Sequence, residues 1–352
     1  MANCQKQGFC NLCPICCIFY IYIFNTVEII HHLRKKNKMG VVYVLGTANP
    51  TPSGGVMRLY QFVDTLNANN IESYIIYNTI HHLEWFINST PITDFKSVNI
   101  TKDDLLIFPE VMADNVLTLY PGVRKIIFNQ NSFKTFKPFY RGDLNDVRRV
   151  YFHKDVVQTI VASDYDVNVL NRLFPGIRLS RFHYGIDEQL FHFHPAKKKI
   201  IALMPRKEKQ DAIIVECLLR TINKLNGFEI KLIDMMTHVE CARILREAAI
   251  FLSFSHQESF GLPPAEAMAC GCIVIGYHGQ GGKEFFRKDL NYGIEQSNLI
   301  EYAEQVNYVI EQYNTNYENT IQVGKRASEY ILKKYTMAKQ EESILEIIRN
   351  FI

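Results

Sequence analysis

The chain has 352 residues, of which 47% are hydrophobic and 21% charged, and its formal net charge is +3. These proportions are typical of a globular protein and exclude a fibrous or intrinsically disordered chain. The length favours two domains, each able to bury its own core. The net charge argues neither for nor against a nucleic-acid partner, but the body of the sequence contains no long basic run, and we expect none.

Residues 1–38 differ from the rest, because five of the nine cysteines lie among them. The uncharged stretch from Gly8 to Val27 is about long enough to cross a bilayer, and the basic residues after it would hold the remainder in the cytosol. A membrane anchor and a leader without structural role are the two main interpretations. A metal knot is a weaker third, because Cys10, Cys13 and Cys16 have ligand-like spacing without a second pair.

From Met39 onward, short apolar runs alternate with amphipathic patterns. Strands are predicted at VVYVLG, SYIIYN, DLLIFP, KIIFNQ and TIVAS in the first half, and at KIIALMP, FEIKLID, AIFLSFS and CIVIGY in the second. Helical stripes are predicted through Val56, Leu59, Phe62, Val63 and Leu66, and through Val239, Ala242, Leu245 and Ala248. Nearly continuous apolar strands indicate parallel sheets buried on both faces, so the alternation predicts a doubly wound α/β fold.

The strand–helix alternation restarts after the segment Phe182 to Lys199, which contains glycine, proline and a basic run. We therefore expect two Rossmann-like domains, residues 39–190 and 191–335, facing each other across a cleft. Residues 336–352 are expected to form a helix that packs back on the first domain. Ligands of open α/β sheets bind beyond the carboxyl ends of the strands, so the informative residues should follow strands directly.

Two glutamates follow the strand AIFLSFS in the stretch ESFGLPPAEAMACG, which begins at Glu258. Pro263 and Pro264 should open a helix, Glu266 should lie in its first turn, and Gly271 should end it. The amide groups of that helix end would form an anion site, while the two carboxylates could accept hydrogen bonds from hydroxyl groups. The pattern suits a ligand with two polyol parts joined by a diphosphate.

The same stretch resembles the Glu-x7-Glu signature of the group 1 (family 4) retaining glycosyltransferases, which have the GT-B fold. Further similarities lie in HGQGGKEFF, MPRKEKQDA, VLGTANPTPSGGVMRL and NQNSFKTF, so that the resemblance spans roughly residues 40–340. It implies that residues 39–190 form the acceptor side and residues 191–335 the nucleotide-sugar side. The implied reaction moves a sugar from a nucleotide-diphosphate donor to an acceptor hydroxyl with retention, without metal or cofactor.

The resemblance also implies roles for individual residues. Glu258 would contact the donor sugar and Glu266 the ribose, while Arg206 would hold the diphosphate with Lys209, which fits the spacing better than Lys207. The remaining donor-binding positions that it implies are Gly54, Gly55, Phe260, Gly261 and Leu262. Many relatives have a histidine near the sugar in the first domain, where this chain has Gln130 and Asn131; His153 is the nearest histidine.

Competing signals are weak. Asp164 and Asp166 match a metal-binding pattern of another transferase fold, but Ser163 before them predicts a helix cap. The sequence lacks a GxGxxG after the first strand, a GxxxxGK[ST] loop and a GxSxG elbow. A sugar-nucleotide epimerase and a non-catalytic binding relative remain as alternatives.

The expected acceptor is a glycan, a lipid or a small molecule. We expect a cytoplasmic protein, with peripheral or anchored association at the cytosolic membrane face left open. The four remaining cysteines are expected to be buried free thiols, as in a reducing compartment. They are Cys217, Cys241, Cys270 and Cys272.

Overall fold

The computed structural model describes residues 40–47, 51–83, 85–86, 88–139, 142–205, 207–222 and 224–351. The expectations for residues 1–38 and for Arg206 fall outside these ranges. Residues 41–352 form one compact unit, built on two parallel sheets.

The first sheet has the order β3-β2-β1-β4-β5-β6-β7, with every neighbouring pair parallel. Its strands are β1 (Val42–Leu45), β2 (Ser73–Tyr77), β3 (Ile92–Asp94), β4 (Leu105–Pro109), β5 (Arg124–Asn129), β6 (Val156–Val161) and β7 (Leu179–Arg181). One face packs on α1 (Gly54–Ala68), whose apolar stripe is buried as predicted. The other face packs on α2 (Leu144–Tyr151) and α3 (Asp164–Leu173).

The second sheet has the order β12-β11-β10-β8-β9 and is also parallel. Its strands are β8 (Lys198–Leu203), β9 (Glu229–Leu232), β10 (Ala248–Glu258), β11 (Ile273–Gln280) and β12 (Tyr292–Gly293). The helices α4 (Lys209–Ile222) and α7 (Leu299–Thr315) cover one face. The helices α5 (His238–Glu247) and α6 (Leu262–Ala269) cover the other, which confirms the doubly wound α/β prediction.

Two further helices complete the chain, α8 (Tyr317–Lys334) and α9 (Met337–Arg349). In α8, a Cβ on Gly324 would lie 2.3 Å from the carbonyl oxygen of Gly271, so this helix crosses the end of α6 in backbone contact. In α9, Gln340 Oε1 accepts a hydrogen bond from Arg58 of α1 at 2.8 Å. The chain therefore returns to the first sheet after building the second.

The return passes beside the segment that first left that sheet. The amide of Ile186 donates to the carbonyl of Tyr335 at 2.9 Å, and Ile186 forms an isolated parallel bridge with Thr336. A Cβ on Gly185 would lie 2.8 Å from the Met337 Cα. The two connections between the sheets are thus hydrogen-bonded to each other.

Three details of the sequence interpretation are wrong. Val239 is 61% exposed and Ala248 begins β10, because the buried stripe of α5 runs instead through Cys241, Ala242, Ile244 and Leu245. Cys217 is an exposed thiol on the outer side of α4, whereas Cys241, Cys270 and Cys272 are buried. The short strands β3, β7 and β12 were not predicted, since two or three residues carry too little alternation.

Among the described residues, none of the helices has the length and apolar character that spanning a bilayer requires.

Candidate functional site

The first glutamate of the pair closes strand β10. Glu258 is its last residue, at the carboxyl end of the second sheet, and its side chain is one-third exposed. Lys207 Nζ lies 2.7 Å from Glu258 Oε1 and also donates to the carbonyls of His256 and Gln257 at 2.8 and 3.0 Å. The lysine therefore holds both the carboxylate and the backbone of the loop that presents it.

The second glutamate lies deeper. Glu266 is buried, and its Oε1 is 3.0 Å from His238 Nε2. It is the fifth residue of α6, so the prediction that it lies in the first turn is wrong. The helix begins one residue before the prolines, because Gly261 adopts a left-handed φ of +88° that turns the chain directly into Leu262.

The start of α6 is a poorer anion site than the sequence suggested. Pro263 and Pro264 occupy its first turn and have no N–H, so two of the donors that a helix end normally offers are missing. The remaining amides are those of Gly261 and Leu262. An anion here would need side-chain cations in addition to the backbone.

The glycine pair of the first domain approaches this helix. A Cβ on Gly54 would lie 2.9 Å from Leu262 Cδ1, and a Cβ on Gly55 would lie 2.8 Å from Gln130 Oε1. Gly54 is also the first residue of α1. Because neither position has room for a side chain, the start of α1 presents its backbone amides towards the start of α6.

The aromatic residue between the glutamates belongs to the core. Phe260 is 2% exposed and packs against Tyr184, Phe285 and Tyr335, with ring centroids 5.0 to 5.4 Å apart. Its side chain fixes the loop after Glu258, so only its backbone remains for a ligand.

The cations of MPRKEKQDA are separated in space. Arg206 falls outside the described residues. Lys209 is exposed at the beginning of α4, whereas Lys207, which the sequence interpretation placed second, lies on Glu258. The structure therefore brings Lys207, rather than Lys209, to the glutamate pair.

The first domain contributes a loop that the sequence only partly identified. Asn131 Nδ2 donates to the carbonyl of Gln257 at 3.0 Å, so the loop after β5 contacts the loop that carries Glu258. Gln130 Oε1 is buried and has no hydrogen-bond partner among the described residues. His153, by contrast, precedes the amino end of β6, and its Nδ1 lies 3.8 Å from Asp155 Oδ2. It is therefore at the amino ends of the strands, whereas this loop is at their carboxyl ends.

A buried carboxylate joins the two domains beside the site. Asp166 Oδ1 accepts from Ser259 Oγ at 2.7 Å and from the Ser132 amide at 3.2 Å. Ser163 caps α3 by accepting from the Asp166 amide, as predicted. The capping motif thus also links the loop after β5 to the loop after β10, which no local pattern could have indicated.

Glu110 was not identified from the sequence. It follows β4 at the carboxyl end, is 4% exposed, and accepts from the Gln130 amide at 3.1 Å. Burial raises the pKa of Glu110 to about 7, against a smaller opposing effect of Lys134. A carboxyl group that exchanges its proton near neutral pH therefore supports the loop of Gln130.

Within the ranges that the structure describes, no group of three or more histidine, cysteine, aspartate or glutamate side chains could hold an ion.

Comparisons with known proteins support a glycosyltransferase. A family model described as glycosyl transferases group 1 matches residues 220–327, which include both glutamates. An alpha-1,6-glucosyltransferase of Actinobacillus pleuropneumoniae serotype 7 (strain AP76) is 29% identical over 252 residues, covering 68% of this chain and 72% of the relative.

Two solved structures share the fold. Sucrose-phosphate synthase from Thermosynechococcus elongatus superposes with a TM-score of 0.66 at 13% identity, over 88% of this chain and 98% of that one. Anabaena HepE, in complex with UDP and glucose, has a TM-score of 0.66 at 12% identity, over 89% of this chain and 100% of that one. Residues 220–327 thus match the group 1 glycosyltransferases, and the fold is GT-B.

Proposed function

We propose that this glycosyltransferase transfers a sugar from a UDP-sugar to an acceptor hydroxyl, with retention of the anomeric configuration and without a metal ion. The observation that carries the proposal is the arrangement around α6. Glu258 and Glu266 flank the start of this helix, Lys207 lies on Glu258, and Gly54 faces Leu262 from the other domain.

The proposed roles follow from chemistry and depth. Glu266, the buried carboxylate, accepts from the ribose hydroxyls, and the more exposed Glu258 accepts from the donor sugar. Arg206 and Lys207 bind the diphosphate, because the two prolines of α6 leave few backbone donors. The amides of Gly54 and Gly55 face the phosphates or the acceptor.

In this proposal the reaction depends mainly on electrostatic stabilisation of the leaving diphosphate. As the glycosidic bond breaks, negative charge grows on the leaving diphosphate, and preorganised cations stabilise that charge more than the ground state. The resemblance implies a front-side or short-lived ion-pair route without a side-chain nucleophile. In this proposal the protein's contribution is positioning plus charge.

Uridine and glucose are the first candidates for the donor. The curated relative is named as a glucosyltransferase, and HepE was solved with UDP and glucose and with UDP-glucose. The acceptor is a glycan, a lipid or a small molecule, and we propose that the protein acts on the cytosolic side, free or associated with a membrane surface.

We also propose functional boundaries within the chain. Residues 39–190 form the acceptor side, residues 191–335 the nucleotide-sugar side, and residues 336–352 belong with the acceptor side through Gln340 and Glu341, which bond Arg58 and Asn69 of α1.

A donor panel tests the proposal. The melting temperature is measured with UDP-, GDP- and ADP-sugars, and turnover of the best donor is then followed in an acceptor screen with and without EDTA. We expect UDP-glucose to stabilise most, the product anomer to match that of the donor by NMR, and EDTA to have no effect. Epimerised donor without acceptor would indicate an epimerase, and binding without turnover a non-catalytic relative.

A further inference from the structure

His238 is the first residue of α5, and its ring is held from several directions. Thr237 before it caps the helix in a reciprocal capping box with Glu240, which fixes the backbone that carries the ring. The ring packs on Phe191 with centroids 4.8 Å apart, and its Nε2 lies 3.0 Å from Glu266 Oε1.

Charged groups of three other segments influence the protonation of the ring. They are Glu266 of α6, Arg58 of α1 and Asp187 of the segment after β7. The Arg58 guanidinium is itself engaged by the Gly185 carbonyl at 2.7 Å and by Gln340 at 2.8 Å. Burial of the ring opposes protonation, but the Glu266 carboxylate and its hydrogen bond outweigh it, so the pKa of His238 lies above its ordinary value.

We infer that His238 is a positioning residue for the nucleotide: it holds Oε1 of Glu266 so that Oε2 faces the ribose, and its positive charge offsets that of the carboxylate beside the donor's diphosphate. The inference rests on the proposed role of Glu266. An unpaired buried carboxylate next to a diphosphate would repel it, whereas an ion pair of Glu266 with the imidazolium is neutral overall. A neutral imidazole can orient Glu266 but cannot offset its charge.

The inference predicts how donor affinity depends on pH. As pH rises through the pKa of His238, the imidazolium is lost and binding should weaken by about fivefold, the difference between a charged and a neutral hydrogen bond. UDP-glucose is the appropriate probe, because its phosphates are both esterified and do not titrate in this range.

The experiment measures the dissociation constant of UDP-glucose by calorimetry from pH 5.5 to 8.5, without acceptor. His238→Gln keeps a neutral donor, so its affinity should change less with pH than that of the wild type and lie close to the wild-type value at pH 8.5. His238→Ala should bind more weakly at every pH. His153→Gln, at the opposite edge of the first sheet, is the matched histidine control and should behave as the wild type.

The outcomes separate this inference from the proposed function. If Glu266→Ala weakens binding but His238→Gln retains the pH dependence of the wild type, the inference is wrong and the ribose role of Glu266 stands. If the wild type binds no UDP-glucose, both are wrong. A kcat that falls in His238→Gln while KM is unchanged would also contradict a positioning role in donor binding.

Discussion

Lys207 and Lys209 lie two residues apart but in different surroundings. Lys207 contacts Glu258 and two carbonyls, and Lys209 is exposed on α4. If Lys207 offsets the leaving-group charge, Lys207→Ala should lower kcat/KM by about 10²-fold, as the loss of one preorganised donor does. Lys209→Ala should stay within about twofold in the same steady-state assay. If Lys209→Ala caused the larger loss of kcat/KM, Lys209 rather than Lys207 would be the residue that offsets the leaving-group charge.

The two glutamates should be separable by ligand. Because Glu266 is proposed to bind ribose, Glu266→Ala should weaken the binding of free UDP by ~1.5–3 kcal/mol, the contribution of a hydrogen bond to a charged group. Glu258→Ala should leave free UDP binding nearly unchanged and lower turnover of the sugar donor. Titration calorimetry with UDP and with UDP-glucose distinguishes them, and equal losses of UDP affinity in both variants would contradict the division of roles.

How far the site follows from sequence depends on the residue. Glu258 and Glu266 lie in one continuous motif after an obvious strand, so their neighbourhood was predictable. His238 and Asp166 were not, because their contacts join segments 28 and 93 residues apart and depend on how helices and sheets pack. The choice between Lys207 and Lys209 was a matter of side-chain direction at a strand end, which spacing alone does not determine.

At the scale of elements, the turn after β11 supports the loop that carries Glu258. A Cβ on Gly281 would lie 1.6 Å from the Ser259 carbonyl oxygen, whereas a Cβ on Gly282 would meet its neighbours at an ordinary 3.5 Å. Gly281→Ala must therefore displace backbone next to Glu258, and Gly282→Ala need not.

We expect Gly281→Ala to lower the melting temperature by several degrees, in line with a loss of ~1–3 kcal/mol for overpacking, and to reduce turnover. Gly282→Ala is the matched control and should resemble the wild type in both. The melting temperatures of the three proteins are measured by calorimetry. Equal melting temperatures for the two variants would show that the turn accommodates a methyl group at Gly281 without loss of stability.

The fold itself was largely predictable because its strands are buried on both faces. Strands such as β4 and β10 are nearly unbroken apolar runs, a pattern that few other structures produce. The edge strands β3 and β12 are half-exposed and only three and two residues long. Their pairing is decided by neighbouring strands rather than by their own sequence.

For the molecule as a whole, Glu110 links stability to pH. Because burial raises its pKa to about 7 from 4.5, the folded protein retains a proton there that the unfolded chain has lost. The stabilising contribution is complete below about pH 4.5 and disappears as pH rises through 7. Relative to Glu110→Gln, the wild type should therefore lose on the order of 3 kcal/mol across this range.

Chemical denaturation of both proteins at pH 4.5, 6 and 8 measures that difference. Glu110→Gln preserves an oxygen that can accept from the Gln130 amide, so the variant should match the wild type at the lowest pH. A constant difference across the series would mean that folding leaves the pKa of Glu110 unchanged and would contradict the prediction.

The paired connections at Ile186 and Tyr335 also matter if the backbone is cut. A protease site inserted between Pro195 and Ala196, which are exposed, would sever one connection only. The carboxyl-terminal fragment would still carry α9, which is bonded to α1 of the other fragment. The nicked protein should elute as a single particle in gel filtration and separate into two chains only in denaturant. Topologically, the two lobes are joined twice, because the last helix completes the lobe that the first strand began.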